Sequence, residues 1–138
     1  MWNRIGATAA IVALLGVGTG AGAQGQNPPP QGHAHVSPHG GEIVEVAEHH
    51  VEFKADSSGT IAVWLLDVHQ RTMAPPDGAS VTLIAGGGTQ MTLPLQVDAA
   101  SQRLVARFDP LKFASFRAVV SLSIAGSRRN LRFRYPHQ

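Results

Sequence analysis

The chain has 138 residues, a formal net charge of +2 and no cysteine, and 43% of its residues are hydrophobic. That is enough for one domain with a modest core, and it excludes disulfides and thiolate metal ligation, leaving His, carboxylate and Met as ligands. No basic helix and no interleaving of aromatic with basic residues occurs, so nucleic acid is not an expected partner.

Met1 to Arg4 is a short positive segment, Ile5 to Val17 is apolar, and Ala21-Gly22-Ala23 supplies small residues after it. This order reads as a secretory signal peptide over 1–23, with cleavage before Gln24, and it implies a periplasmic or secreted protein. The apolar run is short for a membrane anchor, and no cysteine follows it to carry a lipid. Nothing later in the mature chain is long and apolar enough to span a bilayer as a helix.

Residues 24–38 read as a disordered His/Pro-rich linker. Pro28-Pro29-Pro30 holds the chain extended, and Gly, Gln and His surround it. Five of the seven histidines fall between His33 and His50. Neutral imidazole is a ligand for copper, zinc, nickel and cobalt, and in an extended backbone His33 and His35 point to the same side. The charge is also uneven. From Gln24 to Asp77 the acids Glu42, Glu45, Glu48, Glu52, Asp56, Asp67 and Asp77 face only Lys54 and Arg71, whereas eight basic residues face Asp98 and Asp109 from Gly78 onward. The acidic, His-rich half suits cations; the basic half is accounted for by the solvated face of a sheet.

From Pro38-His39-Gly40-Gly41, a turn by composition, the pattern is period-two nearly to the end. Strands are expected over 42–46 and 49–55, with Val44, Val46, Val51 and Phe53 toward the core. Residues 60–67 are apolar on both faces, as in a central strand covered on both sides. Val68 to Ala79 is a loop carrying His69, and Gly86-Gly87-Gly88 joins strands over 80–84 and 89–95. Pro94, lacking an N–H, marks an edge or bulge. Further strands are expected over 102–108, 118–124 and 130–135, and Asp109 to Phe116 is a connection with room for one helical turn. About eight short strands without a convincing helix imply an all-β, two-layer antiparallel sandwich of immunoglobulin-like type over 39–136.

The first hairpin has two candidate registers. A two-residue turn at Ala47-Glu48 sets Glu45 opposite His50 and Ile43 opposite Glu52; a longer loop sets Glu45 opposite Glu52. Both put Glu45 and Glu52 on the face away from the core valines. Carboxylates near an imidazole on a rigid hairpin are a divalent-cation site, with His39 as a mobile additional ligand. The candidate ligands are therefore His39, His50 and Glu52, with Glu45 and His49 beside them and His33 and His35 as a capture arm. His69 and His137 are ordinary solvated positions, and Met73 and Met91 make no methionine motif.

No nucleophile elbow, no His-Glu-x-x-His helix and no phosphate-binding Gly-rich loop occurs, so no catalytic residue and no enzyme is expected. The run Pro38-His39-Gly40-Gly41, then His50-Val51-Glu52, Trp64-Leu65-Leu66-Asp67 and Val81-Thr82-Leu83, resembles small exported bacterial proteins that accompany heavy-metal efflux systems. The Pro-His-Gly-Gly opening and the His-x-Glu strand are also similar to the N-terminal metal-associated segment of efflux membrane-fusion proteins, although the hairpin and barrel domains of those proteins are missing here. The resemblance implies a periplasmic accessory protein that buffers or hands over a divalent transition metal, copper or zinc first and nickel or cobalt next. An envelope efflux complex is the implied partner. The other reading is a non-catalytic interaction module with incidental histidines.

Overall fold

The structure, a computed structural model, describes residues 36–136. The expected signal peptide, most of the linker, His33, His35 and His137 lie outside the described residues.

Nine strands alternate along the chain: β1 (Glu42–Val46), β2 (His49–Ala55), β3 (Thr60–Leu66), β4 (Ser80–Ile84), β5 (Gln90–Pro94), β6 (Gln96–Asp98), β7 (Arg103–Arg107), β8 (Phe116–Ile124) and β9 (Ser127–Tyr135). They pair antiparallel into a five-stranded sheet, β1-β2-β3-β7-β6, and a four-stranded sheet, β5-β4-β8-β9. There is no helix among the described residues, and the domain is a two-layer β-sandwich. The turn room expected after β7 is used by a single helix-like bond, from Phe113 N–H to Asp109 O at 3.0 Å.

The core forms because successive strand residues point to opposite faces, so each apolar alternate falls inward. Val51, Phe53, Ile61, Val63 and Leu65 from one sheet meet Val81, Leu83, Ala118, Val120, Leu122 and Phe133 from the other. Phe53 and Phe133 stack across the layers with ring centroids 4.9 Å apart. Burying a side chain of this size contributes about 1.5–3 kcal/mol, so these contacts set which faces turn inward.

The ninth strand is β6, which lies past the strand expected over 89–95 and is not anticipated from the sequence. Pro94 ends β5 at the edge of its sheet, Leu95 turns into the core, and its N–H donates to Ala79 O at 2.9 Å. The chain then crosses to the other sheet and pairs with β7 as β6. β6 is three residues long and polar at both ends, which leaves no periodic signal to read. β8 and β9 also begin two and three residues before the expected limits: β8 takes in the buried Phe116 and the exposed Arg117, and β9 the exposed Ser127, Arg128 and Arg129.

β3 is covered on both faces, as its sequence requires. Ile61, Val63 and Leu65 enter the core. Ala62, Trp64 and Leu66 form a second apolar cluster on the outer face, with Ile43 against it. The β1–β2 turn takes the short form. Ala47 adopts φ +53°, and the register sets Ile43 opposite Glu52 and Glu45 opposite His50.

Candidate functional site

On the outer face of the five-stranded sheet, β2 presents His50, Glu52 and Lys54 in a row, between Ile43 and Glu45 of β1 and Ala62, Trp64 and Leu66 of β3. Such a row is ordinarily wet. Here Glu52 is fully buried, because the segment entering β1 folds back over it, and His50 is only 6% exposed.

That segment is built around the Glu52 carboxylate. Oε1 accepts hydrogen bonds from the Ser37 hydroxyl, from His39 N–H at 2.9 Å and from Gly41 N–H at 2.9 Å. Oε2 accepts from His39 Nδ1 at 2.8 Å. The Gly41 N–H also donates to Ser37 Oγ at 2.7 Å, closing the loop on itself. Lys54 Nζ donates to His39 O at 3.0 Å from the next position on β2. Burial pushes the Glu52 carboxyl upward, but the bonds from the Ser37 and His39 side chains and from the Gly41 and His39 backbone outweigh it, and the group lies below its ordinary value. It is a buried carboxylate with every oxygen engaged.

The two glycines make the clasp possible. Gly40 sits at φ +77°, where side-chain-bearing residues are strained. At Gly41 a Cβ would stand 2.4 Å from Phe53 O, so the backbone lies against β2 only because the side chain is missing.

Because the Glu52 carboxylate only accepts, His39 Nδ1 is the donor in this bond, and in the neutral ring Nε2 carries the lone pair. The ring stacks flat on Trp64 with centroids 4.1 Å apart and an interplanar angle of 1°. Its side chain is 31% exposed, and no hydrogen bond engages Nε2 among the described residues. His39 is thus a fixed imidazole, not the mobile one its glycines suggested.

His50 is held differently. Its Nδ1 is 3.1 Å from Asp67 O, a carbonyl that only accepts, so Nδ1 is the donor. Nε2 faces Glu45 Oε1 at 3.4 Å. In the neutral ring that nitrogen offers a lone pair, and so does the carboxylate. The separation matches that of adjacent ligands on a tetrahedral ion with bonds of about 2.0–2.1 Å, which stand roughly 3.4 Å apart, so the geometry allows both groups to bind one metal ion.

The sequence candidates therefore divide. His50 and Glu45 are brought together, and His39 and Glu52 are brought together, with both Glu52 oxygens engaged in the clasp. No group of three His, Asp or Glu side chains able to hold a metal occurs among the described residues. His49 points to the other side of β2, opposite Val46. His69 is exposed in its loop, with its N–H donating to Asp67 Oδ1 at 2.8 Å. Met73 and Met91 pack against the core.

Ser37, Trp64 and the Asp67 carbonyl were not among the sequence candidates. Only Ser37 carried a signal, as a hydroxyl four residues before a glycine in a turn; Trp64 and Asp67 act through register, which the sequence left open. The fold and site define a two-layer β-sandwich with a carboxylate–imidazole cluster on one outer face. No known protein family matches the chain, and neither does any characterised protein or solved structure.

Proposed function

We propose that this is an exported protein that binds a divalent transition metal, copper or zinc first, in the service of metal handling at the cell envelope. The observation that carries the reading is the His50–Glu45 pair: two lone-pair donors 3.4 Å apart, with the other imidazole nitrogen fixed by a carbonyl. A carbonyl that accepts from Nδ1 in this way is the usual arrangement for a metal-ligating histidine.

Further ligands come from His33 and His35. Ser37 is tied to Glu52, which neighbours His50 on the same face of β2, so the histidine-bearing segment starts next to the pair. His35 is two residues upstream of Ser37, a reach of roughly 7 Å in extended chain. His39 Nε2 is an additional oriented donor. The resemblance of the Pro38-to-Gly41 and His50-to-Glu52 runs to metal-efflux accessory proteins supports the same role.

The test is titration of the mature chain, from Gln24, with Cu(II) and Zn(II), followed through the histidine ring resonances. The expected result is saturation at one ion per chain, with His50 perturbed first. A domain that binds no ion is an interaction module with incidental histidines.

A further inference from the structure

We propose that the outer face of the four-stranded sheet, remote in sequence from the histidines, carries a binding site for a phosphate group. β8 and β9 place Arg117 directly opposite Arg134, and Arg132 lies two residues from Arg134 on the same face, opposite Val119. All three are exposed. Like charges facing each other across a strand pair are unfavourable, and an exposed face asks for neither. No Asp or Glu occurs on β4, β5, β8 or β9 to offset them.

The three arginines line one concavity of about 220 Å³, floored by Ile84 and Val119. The single acid on its wall is Glu42, whose Oε2 accepts from the Arg134 backbone N–H at 3.1 Å. Three guanidinium groups against one carboxylate leave a surplus of positive charge in a recess. A guanidinium presents a planar fork that matches two oxygens of a phosphate, and the apolar floor supports the arginine stems. Arg117, Arg134 and Ile84 also border an adjoining hollow of about 420 Å³ that continues past Tyr135 and Pro136. The ligand class that fits is a phosphate ester, its phosphate among the arginines and its carbon arm along Tyr135. Such a group is supplied by a soluble ester or by a phospholipid headgroup. The site is independent of the metal reading, since it shares no candidate ligand with it.

The experiment uses the mature chain and two probes at physiological ionic strength: glycerol 3-phosphate, followed by arginine Nε–Hε resonances, and phosphatidylcholine vesicles with and without phosphatidylglycerol, followed by co-sedimentation. The expected result is saturable binding of at least one probe, reduced tenfold or more in R117Q/R134Q and in R132Q, and unchanged in R107Q on the opposite sheet. Binding of glycerol 3-phosphate alone assigns a soluble ester; binding only of the phosphatidylglycerol vesicles assigns a headgroup. Either supports the site. Binding of neither probe, or binding that survives R117Q/R134Q, overturns it. The glutamine variants remove a repulsive pair from an exposed face and so leave the sandwich folded.

Discussion

The Glu52 carboxylate accepts from Nδ1 of His39 at 2.8 Å, and this bond joins the turn before β1 to the middle of β2. It fixes the ring tautomer, and it places a charged group in a site where water does not reach it. Four donors from three residues make that burial tolerable. Removing the carboxylate leaves Ser37, His39 and Gly41 donors without their acceptor, and an unmet buried donor costs about 1–3 kcal/mol. E52A is expected to destabilise the domain by roughly 2–4 kcal/mol in urea unfolding, with E52Q intermediate because an amide supplies one acceptor. A change within ±0.5 kcal/mol would mean that the clasp contributes nothing to the fold.

The same bond predicts a pH dependence. Glu52 is held below its ordinary value of 4.5 in the folded state. The unfolded chain therefore binds this proton more readily, and the stabilisation is complete above about pH 4.5 and is lost as the pH falls through the folded-state value. Unfolding free energies measured from pH 7 down to pH 3 should decline more steeply for the wild type than for E52Q. Parallel curves would place the acid sensitivity elsewhere, as at Asp56 or Asp98, whose hydrogen bonds also lower them.

Gly41 offers a separate handle on the clasp. With Phe53 O only 2.4 Å from the position of a Cβ, G41A must push the turn off β2. The expected cost is about 1–3 kcal/mol, as for overpacking elsewhere. The stack of His39 on Trp64 should loosen with it, seen as a shift in Trp64 emission toward that of H39A.

These residues also show how far the sequence could be read. Period-two alternation gave the limits of β1, β2 and β4 to the residue, because Val44 and Val46, Val51 and Phe53, and Val81 and Leu83 mark the inward face of each. It missed β6, which has too few residues to alternate. It placed Glu45, His50 and Glu52 on the outer face, because phase alone decides that. It did not show that this face is dry at Glu52, since the cover comes from Ser37 to Gly41 folding back, a long-range contact with no periodic trace. The one sign was β3, whose outward Ala62, Trp64 and Leu66 demanded a cover without naming it.

The mature chain, with Trp2 in the expected leader, carries Trp64 as its one tryptophan. Trp64 lies on β3 opposite Glu52, one outward position from Leu66 opposite His50. Cu(II) bound at the His50–Glu45 pair should therefore quench its emission, and H49A should quench like the wild type because His49 faces the other side of β2. Equal loss of quenching in H49A and H50A would point to a site other than the pair.

The most direct measurement of the central claim is isothermal titration of the mature chain with Cu(II) and Zn(II) at neutral pH, comparing H50A, E45Q and H33A/H35A. Strand pairing already orients His50 and Glu45, whereas the upstream histidines give up about 1–2 kcal/mol for each backbone residue they fix. The account predicts one tight ion per chain, weakened tenfold or more in H50A and E45Q, and less in H33A/H35A. A wild type that binds no ion, or an H50A that binds as the wild type does, would contradict it.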